Sequence, residues 1–497
     1  MKKTFKIKYV YFTVLLIIIA IPSFSLAQEE KEAIKLEQIT VTAPGKKEGV
    51  TITPQSTIIN VKEYKTPGAP QNIVDILKDR AIIDFRGQSD LIPGGSSPIY
   101  MRGFDSHRFT TSMDGLTIDY GRSASHGTRS MVVDYATLPL GQIENIEIMP
   151  GPHSALYGGK SVGGVINLKT KTPERYTTLK PDFRVTTSYR SYNTQNHSVN
   201  ADGGAGPFVY GLSYQYNHTN GYLRNNRAEI DNYFMRLGYI LPSDGYISFD
   251  AAYTDKDREL TVKNAPGYVD YHNNYPKTST ASKWPWQKPK RHEEYSTYRL
   301  HYNQPTPIGL FTIGGYYRRD RSEMRYFKKK DSTKTPEVKP DEIEGYSSVS
   351  KMRQAGGRIQ NEIELFKDNT LTLGFDMVQM WQPGKNYKDY DYRRHTHKIA
   401  DTKAGYLQDR WMIIPRLTLT AGLRYEDVSY WRDSNWDYKK NKYKITGEGD
   451  WIRRNRNQWI PKSFLTYELD DLANVLRDTS LSLGISKIWN PLPFCYG

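Results

Sequence analysis

Cysteine is almost absent from this 497-residue sequence, which contains only Cys495. A single thiol cannot form an internal disulfide and cannot supply a cysteine-rich metal site. The sequence therefore excludes a disulfide-stapled fold, and Cys495 is interpreted as a bystander.

Apolar residues are also scarce. They make up 37% of the chain when tyrosine is counted and glycine is not, and exchanging the 38 tyrosines for the 38 glycines leaves that share unchanged. Soluble globular chains counted in the second way are about 45–50% apolar. The deficit argues against an ordinary core-packed enzyme, whereas the 13% aromatic share argues against disorder. Such a composition is typical of a large antiparallel β structure with one wet face.

Long hydrophobic runs are missing after the N-terminus. Four lysines in the first eight residues precede a mostly apolar run over 10–21, and small residues follow at Ser25 and Ala27. That run is too short to span ~30 Å of hydrocarbon as a helix. It predicts a cleaved signal peptide over residues 1–27, with a membrane anchor as the alternative. No transmembrane helix is expected further along.

Positive charge exceeds negative charge, with 69 Lys and Arg against 54 Asp and Glu, a formal +15. This balance favours a nucleic-acid, membrane-surface or anionic-ligand partner. The export signal argues against nucleic acid.

Residues 28–49 form a charged lead that contains one short β-prone segment, 36–43. Ile39 and Val41 alternate there with Thr40 and Thr42, which is the period of a strand. An isolated strand at a terminus can add itself to the sheet edge of another protein. An ordinary first strand is the alternative.

Residues 50–172 read as a compact α+β unit. The pattern predicts a helix over 71–80, a strand pair around an Asp-Gly turn within 111–118, and strands at 143–149 and 165–168. A turn and one helical turn are predicted within 151–159.

From about residue 180 to 490 the sequence alternates between apolar and polar residues. About thirteen strands of ~10 residues are expected, each with one apolar and one polar face, as in outer-membrane barrels. Short links alternate with long polar ones, predicted over 255–291, 328–348, 382–398 and 431–457. The predicted fold class is therefore mainly β, a transmembrane antiparallel β-barrel with an N-terminal α+β domain.

Several ordered motifs resemble those of TonB-dependent outer-membrane receptors. Residues 36–43 resemble the TonB box, 72–80 the helix that opens the plug domain, and 99–104 its I-x-I-R-G-F element. Residues 113–115 and the runs within 143–167 resemble its Asp-Gly turn and closing segment. The matched plug motif residues are Arg102, Gly103, Phe104, Asp114, Gly115, Gly151, Pro152, Tyr157, Gly158, Gly163, Gly164 and Asn167.

The resemblance implies that a plug fills the barrel lumen and that ligand binds plug apices and extracellular loops. It also implies import of a scarce metal chelate, most simply a ferric siderophore, with cobalamin or another nutrient as the alternative. The implied partners are the periplasmic TonB protein and outer-membrane lipid and lipopolysaccharide; no catalytic residue, cofactor or resident metal is expected. The implied TonB box consists of Glu37, Gln38, Ile39, Thr40, Val41, Thr42 and Ala43.

Arginine and tyrosine in the apical plug segments suit an anionic, oxygen-rich ligand, because guanidinium groups and hydroxyls donate hydrogen bonds to oxygen. The candidate ligand residues are Arg108, Tyr120, Arg122, His126 and Arg129. Arg102, which precedes Gly103, is interpreted as structural.

Four other site hypotheses are weaker. Residues 159–163 fit G-x-S-x-G, but a predicted strand follows where a nucleophile elbow needs a helix. The Gly-Lys-Ser within this stretch lacks the first glycine of a P-loop, since Ser154 stands there. His395 and His397 suggest a metal, and Asp389 with Asp391 suggests calcium, but no further ligand is evident.

The C-terminal region departs from the family. Thirteen strands fall short of the 22 of such transporters, and the tail 491–497 does not resemble a final barrel strand. We therefore expect a fragment or frameshifted product, or else a smaller closed barrel. An active receptor, a non-transporting remnant and a passive channel remain as hypotheses; a channel would need neither plug nor TonB box.

Overall fold

A computed structural model describes residues 49–489 apart from short internal segments. Those segments are 54, 64–71, 79, 81, 86–98, 106–107, 119–132, 139, 153, 173–175, 177–180, 268–270, 279–284, 330–342, 384–395, 434–435, 438–441, 444–450 and 470–478. Within the described ranges, no helix is long and apolar enough to cross a membrane.

The first part of the described chain contains eight short strands and one helix. The strands are β1 Val50–Ile52, β2 Thr57–Asn60, β3 Ile83–Phe85, β4 Ile99–Met101, β5 Phe109–Met113, β6 Leu116–Thr117, β7 Ile143–Pro150 and β8 Gly164–Thr170. Helix α1 is Ile73–Leu77, and 3₁₀ turns occupy Tyr135–Thr137 and Leu140–Gln142. Six strands form one sheet in the order β1-β2-β7-β8-β5-β6, and β3 pairs with β4.

Helix α1 begins at an asparagine cap and closes one side of the core. The Asn72 side chain accepts a hydrogen bond from the Asp75 N–H, which satisfies a free backbone donor of the first turn. Ile73, Ile76 and Leu77 are buried against the sheet, including Ile146 and Ile166. The predicted helix is thus confirmed, although it is shorter than 71–80.

The predicted strands of this unit are confirmed, and one local prediction is wrong. Residues 154–159 form bends and turns, with no helical turn among them. The backbone there is shaped by contacts with distant strands, described below, rather than by its own i→i+4 hydrogen bonds.

Gly164 at the start of β8 is a position where a side chain has no room. Its φ is +136°, and a Cβ would lie 2.2 Å from the Met149 carbonyl oxygen and 2.6 Å from the Met101 Sδ. We expect Gly164→Ala to destabilise the sheet by about 2–5 kcal/mol, combining backbone strain and overpacking. Urea unfolding followed by tryptophan fluorescence measures the change.

Gly405 provides the matched control for that substitution. A Cβ at Gly405 would meet nothing within 4 Å, so Gly405→Ala is expected to be nearly neutral. Equal unfolding midpoints for the two alanine variants would contradict the steric account of Gly164.

The second part of the chain forms a single antiparallel sheet of thirteen strands. These are β9 Asp182–Arg190, β10 Thr194–Ala205, β11 Phe208–Thr219, β12 Ala228–Ile240, β13 Tyr246–Glu259, β14 Lys290–Thr306, β15 Gly309–Lys329, β16 Ile343–Phe366, β17 Asn369–Pro383, β18 Thr396–Ile414, β19 Leu417–Asp433, β22 Trp451–Glu468 and β23 Ser480–Ser486. A separate pair, β20 Trp436–Asp437 and β21 Lys442–Tyr443, lies in the link between β19 and β22.

Successive strands of this sheet are neighbours throughout, as in an up-and-down barrel. The predicted number of strands is confirmed. At one end of the sheet most links between strands are short, as at 206–207, 307–308 and 415–416. The long links lie at the other end, at 260–289, 330–342, 384–395 and 434–450. Strands therefore extend into each predicted long link and shorten it. Among the described residues, β9 and β23 each pair on one side only.

Strand β13 shows one apolar and one polar face. On β13, Ile247 and Phe249 are each 40% exposed, whereas Ser248 and Asp250 are 2% and 3% exposed. In a soluble protein the apolar face of a strand is the buried one, whereas here it is the exposed one. An outward apolar face is expected where the surroundings are lipid. The low apolar share of the sequence is thus explained by a polar inner face.

Candidate functional site

The candidate site is the interface between the plug, meaning the unit that carries β1–β8, and the inner face of the thirteen-stranded sheet. The sheet side chains that bond to it include Arg190, Asn232, Lys256, Arg299, Tyr316, Arg358, Gln408, Glu426 and Lys462. If it were flat, the thirteen-stranded sheet would be about 60 Å wide at the usual spacing between strands. A domain with the length of the plug is only about 35 Å across. The sheet therefore curves around the plug.

The Asp-Gly turn between β5 and β6 is bound by an arginine of the thirteen-stranded sheet, whose inner face is called the wall from here on. Asp114 and Gly115 have φ of 49° and 77°, the positive pair that a type I′ hairpin requires. The Asp114 carboxylate accepts hydrogen bonds from the Thr170 N–H at 2.8 Å and from Arg299 Nη1 at 3.2 Å. Asn167 Oδ1 accepts from the Gly115 N–H at 3.2 Å. The turn is thus held from both sides.

A second arginine of the wall, Arg236, joins the group formed by Asp114 and Arg299. Arg236 and Arg299 share the Asp250 carboxylate at 2.6 and 2.7 Å. Arg236 also donates to Thr170 Oγ1 and to the Lys171 carbonyl. Charge-assisted hydrogen bonds of this kind are roughly twice as strong as neutral ones, so plug and wall are tied together here without an apolar core.

The loop 151–163 is held by two polar side chains of the wall. Gln408 Oε1 accepts hydrogen bonds from Ser154 Oγ at 3.0 Å and from the Ala155 N–H at 2.9 Å. Glu426 accepts from the Gly159 N–H at 3.1 Å. Gly159 also has no room for a side chain, because a Cβ would lie 2.6 Å from Ile460.

Glu426 is itself positioned by a buried arginine. Arg424 is 1% exposed; its Nε bonds Glu426 at 2.7 Å and its Nη atoms bond Asp376 at 2.9 and 3.0 Å. One arginine thus satisfies two carboxylates on the inner face.

Tyr157, a plug motif residue, packs inside this interface as a neutral group. Arg358 lies over its ring at 5.6 Å from the centroid and donates to the Leu156 carbonyl. Burial raises the pKa of the Tyr157 hydroxyl, so that the ring stays uncharged beside the arginine.

Nearer the end with the long links lies a charged group that sequence reasoning missed. Lys256 bonds the plug residue Asp134 at 2.7 Å, and Arg258 bonds Glu293 at 2.9 Å; all four side chains are buried. Sequence analysis placed Lys256 and Arg258 within the predicted long link 255–291, whereas the structure extends β13 to Glu259 and so brings both onto the inner face. Lys256 and Asp134 lie 122 positions apart.

Arg291 is the unusual member of that group. It is the direct cross-strand neighbour of Arg258, and like charges placed directly opposite are unfavourable. Its Nε has no hydrogen-bond partner among the described residues, although the atom is buried. The inner face therefore presents an arginine whose charge is only partly compensated.

The predicted ligand residues fall largely outside the described ranges. This applies to Tyr120, Arg122, His126 and Arg129, and to the TonB-box segment 36–43. Arg108 is exposed, immediately before β5, and its N–H donates to the Asp105 carbonyl at 2.9 Å. Its role in binding stays a prediction.

The remaining plug motif residues lie at turns and strand ends. Arg102 has φ of 52° and its N–H donates to the Ile82 carbonyl at 2.8 Å, while Gly103 has φ of 82°. Phe104 forms a bridge with Met101. The other positions follow β7 or lead into β8: Gly151, Pro152, Gly158 and Gly163.

The structure gives no support to the hydrolase hypothesis. Ser161 is 1% exposed, and its hydroxyl donates to the carbonyl oxygens of Tyr157 and Gly158. Strand β8 follows it, as predicted. The paired histidines and aspartates within 389–397 lie where the structure describes no side chains.

Two protein families match the chain in sequence. The TonB-dependent receptor plug domain matches residues 50–165, and the TonB-dependent receptor-like β-barrel matches residues 157–494. The vitamin B12 transporter BtuB of Vibrio vulnificus strain CMCP6 is 31% identical over 119 residues, which are 24% of this chain and 18% of that protein.

Solved structures share the fold at low identity. The copper transporter OprC superposes with a TM-score of 0.64 at 17% identity, over 88% of this chain and 64% of that one. The ferric-catecholate import receptor Fiu of E. coli K12 gives 0.57 at 14% identity, over 89% and 71%. The chain thus spans under two thirds of OprC and under a fifth of the B12 transporter.

The barrel match covers most of the sequence, and the structure places a plug against the polar face of a thirteen-stranded antiparallel sheet. This chain belongs to the TonB-dependent receptor family.

Proposed function

We propose that this chain acts in the TonB-dependent import of a ferric siderophore across the outer membrane. Binding takes place between the plug apices and the inner face of the sheet near the long links. The chain performs transport and no catalysis.

The single observation that carries the ligand class is the arginine pair on β13 and β14. Arg258 is neutralised by Glu293, whereas Arg291 opposite it has no ion-pair partner among the described residues and a buried Nε without a hydrogen bond. An anionic ligand with several oxygen atoms would complete this arrangement, because guanidinium groups bind such oxygens in forked geometry. Ferric siderophores commonly have this chemistry.

The proposed partner is the periplasmic TonB protein, bound at residues 37–43, which transmits energy from the inner membrane. The outer membrane has no ion gradient or ATP of its own, so import against a gradient needs a mechanical connection to the inner membrane. A short segment that adds as a strand to TonB supplies one.

Cobalamin is the second candidate ligand. The sequence match to a B12 transporter favours it, but that match lies within 119 residues. The arginine pair argues for a more strongly anionic ligand.

Radiolabelled uptake in a strain that lacks the gene tests the proposal. Cells that express the chain are expected to take up ⁵⁵Fe as an anionic siderophore complex, and a protonophore should stop uptake. Arg291→Gln is expected to weaken binding about tenfold or more, since a hydrogen bond to a charged group contributes about 1.5–3 kcal/mol. Arg227→Gln, at an arginine whose side chain is 56% exposed, is the matched control.

Three results would contradict this proposal in different ways. Uptake of labelled cobalamin, but of no ferric complex, would favour the second candidate. Surface binding without uptake would favour a non-transporting remnant. Equal loss of binding in Arg227→Gln would remove the special role of Arg291.

A further inference from the structure

Three metal-ligating side chains meet on the outer face of the sheet, away from the plug. They are Asp255 and Asp257 of β13 and His292 of β14, and Asp257 is the direct cross-strand partner of His292. All three alternate with buried inner-face residues, such as Lys256, and therefore point outward. Among the described residues, this is the one group of its kind.

The distances within this group fit the coordination shell of a metal ion. His292 Nδ1 lies 3.0 Å from Asp257 Oδ1 and 3.5 Å from Asp255 Oδ1. Ligand atoms about 2.0–2.1 Å from a tetrahedral zinc ion are about 3.3–3.4 Å from one another. The two distances from His292 Nδ1 are thus within a few tenths of an ångström of that spacing, and the ligand atoms of all three residues lie within 4.8 Å of one another.

A third carboxylate lies on the other side of the imidazole. Glu294 Oε1 is 3.9 Å from His292 Nε2, and Arg321 holds Glu294 at 2.7 Å. Metal-binding histidines almost always donate their other ring N–H to a carboxylate, a carbonyl or water, which fixes the ring orientation. Glu294 therefore lies on the Nε2 side of the ring, beyond direct hydrogen-bond distance, while Nδ1 faces the two aspartates.

The charges also favour a divalent ion. Two carboxylates and a protonated imidazole sum to −1, whereas two carboxylates, a neutral imidazole and a divalent cation sum to zero. Glu294 is balanced separately by Arg321. Because Asp257 is 72% exposed and His292 is 29% exposed, one coordination position remains open to solvent.

We propose that Asp255, Asp257 and His292 form a site for a divalent transition-metal ion of the zinc class, which clamps β13 to β14 on the outer face. Imidazole nitrogen and carboxylate oxygen both suit such ions. The clamp lies where these strands enter the long link 260–289. This site is separate from the inner-face ligand site and does not depend on the proposed function.

Zinc titration of the purified full chain tests this site by isothermal calorimetry after treatment with chelator. We expect one zinc ion to bind, and we expect Asp257→Asn and His292→Ala each to weaken binding by about tenfold or more. Changes to outer-shell partners alone typically cost roughly 10–100-fold. Asp257→Asn preserves shape at an exposed position, so its folding is not expected to change.

His197→Ala is the matched control, because the described contacts of His197 are with neutral side chains: Thr187, Gln195, Tyr189 and Tyr216. Its zinc affinity is expected to equal that of the parent chain. Equal affinities for the parent chain and Asp257→Asn would overturn the proposal. An equal loss in His197→Ala would do so as well, since it would show non-specific histidine binding.

Discussion

Uptake is expected to stop in an Ile39→Pro variant while ligand binding at the cell surface persists. Proline has no backbone N–H and therefore cannot donate to the ladder of an added strand. If residues 37–43 pair with TonB as proposed, one missing donor in the middle of so short a strand breaks the connection. The ligand site lies elsewhere in the molecule, so its affinity should not change.

The two quantities can be measured on the same cells with ⁵⁵Fe-labelled siderophore. Binding is read in the presence of a protonophore, and uptake is read without it. Ile39→Val keeps both the donor and the β-branched side chain, so it is expected to transport as the parent chain does. Binding that falls together with uptake in Ile39→Pro would show that the segment has a structural role instead.

Lys256→Met is expected to have the largest effect on stability, a loss of about 3–5 kcal/mol in the free energy of unfolding. Lys256 and Asp134 are 0% and 2% exposed and are bonded at 2.7 Å. Removal of one partner leaves a buried carboxylate without compensation, which costs this much. Asp134 also caps the 3₁₀ turn Tyr135–Thr137 by accepting from the Ala136 N–H, so the plug should loosen locally.

Urea unfolding of the protein in lipid vesicles measures this loss. Lys290→Met is the matched control: its Nζ lies 4.0 Å from Glu259 and its side chain is 65% exposed, so its effect should stay within about 0.5 kcal/mol. Adding Asp134→Asn to Lys256→Met should restore much of the lost stability, because it removes the orphaned charge and keeps an acceptor for the cap. Equal effects of the two lysine substitutions would contradict the assignment of a buried pair.

The inner-face contacts show how far sequence reasoning reaches. Alternation placed Asp250 on the polar face of its strand, and the structure confirms this position. It could not show that Arg236 and Arg299 share that carboxylate, because the pairing depends on strand register and sheet curvature. The same holds for Arg424 and Asp376, which form an ion pair although they lie 48 positions apart in the sequence.

The loop 151–163 illustrates the same limit on a smaller scale. The motif of this loop could be identified in the sequence, but the prediction of a helical turn is wrong, because residues 154–159 form bends and turns. Gln408 and Glu426 of the wall take up the backbone N–H groups of Ala155 and Gly159, so the local conformation follows contacts more than 250 positions away. The outward group at Asp257 and His292 was invisible for a related reason, since cross-strand pairing alone brings these residues together.

Residue patterns along the chain were enough to predict the fold class, the number of strands and the position of the Asp-Gly turn. Each of these depends on a short-range pattern: strand period, turn chemistry, or a motif that a few adjacent residues carry. Which charges meet, in contrast, depends on how the strands assemble around the plug. A polar inner face leaves many possible partners for every arginine, and curvature of the sheet around the plug selects one set of pairs among them.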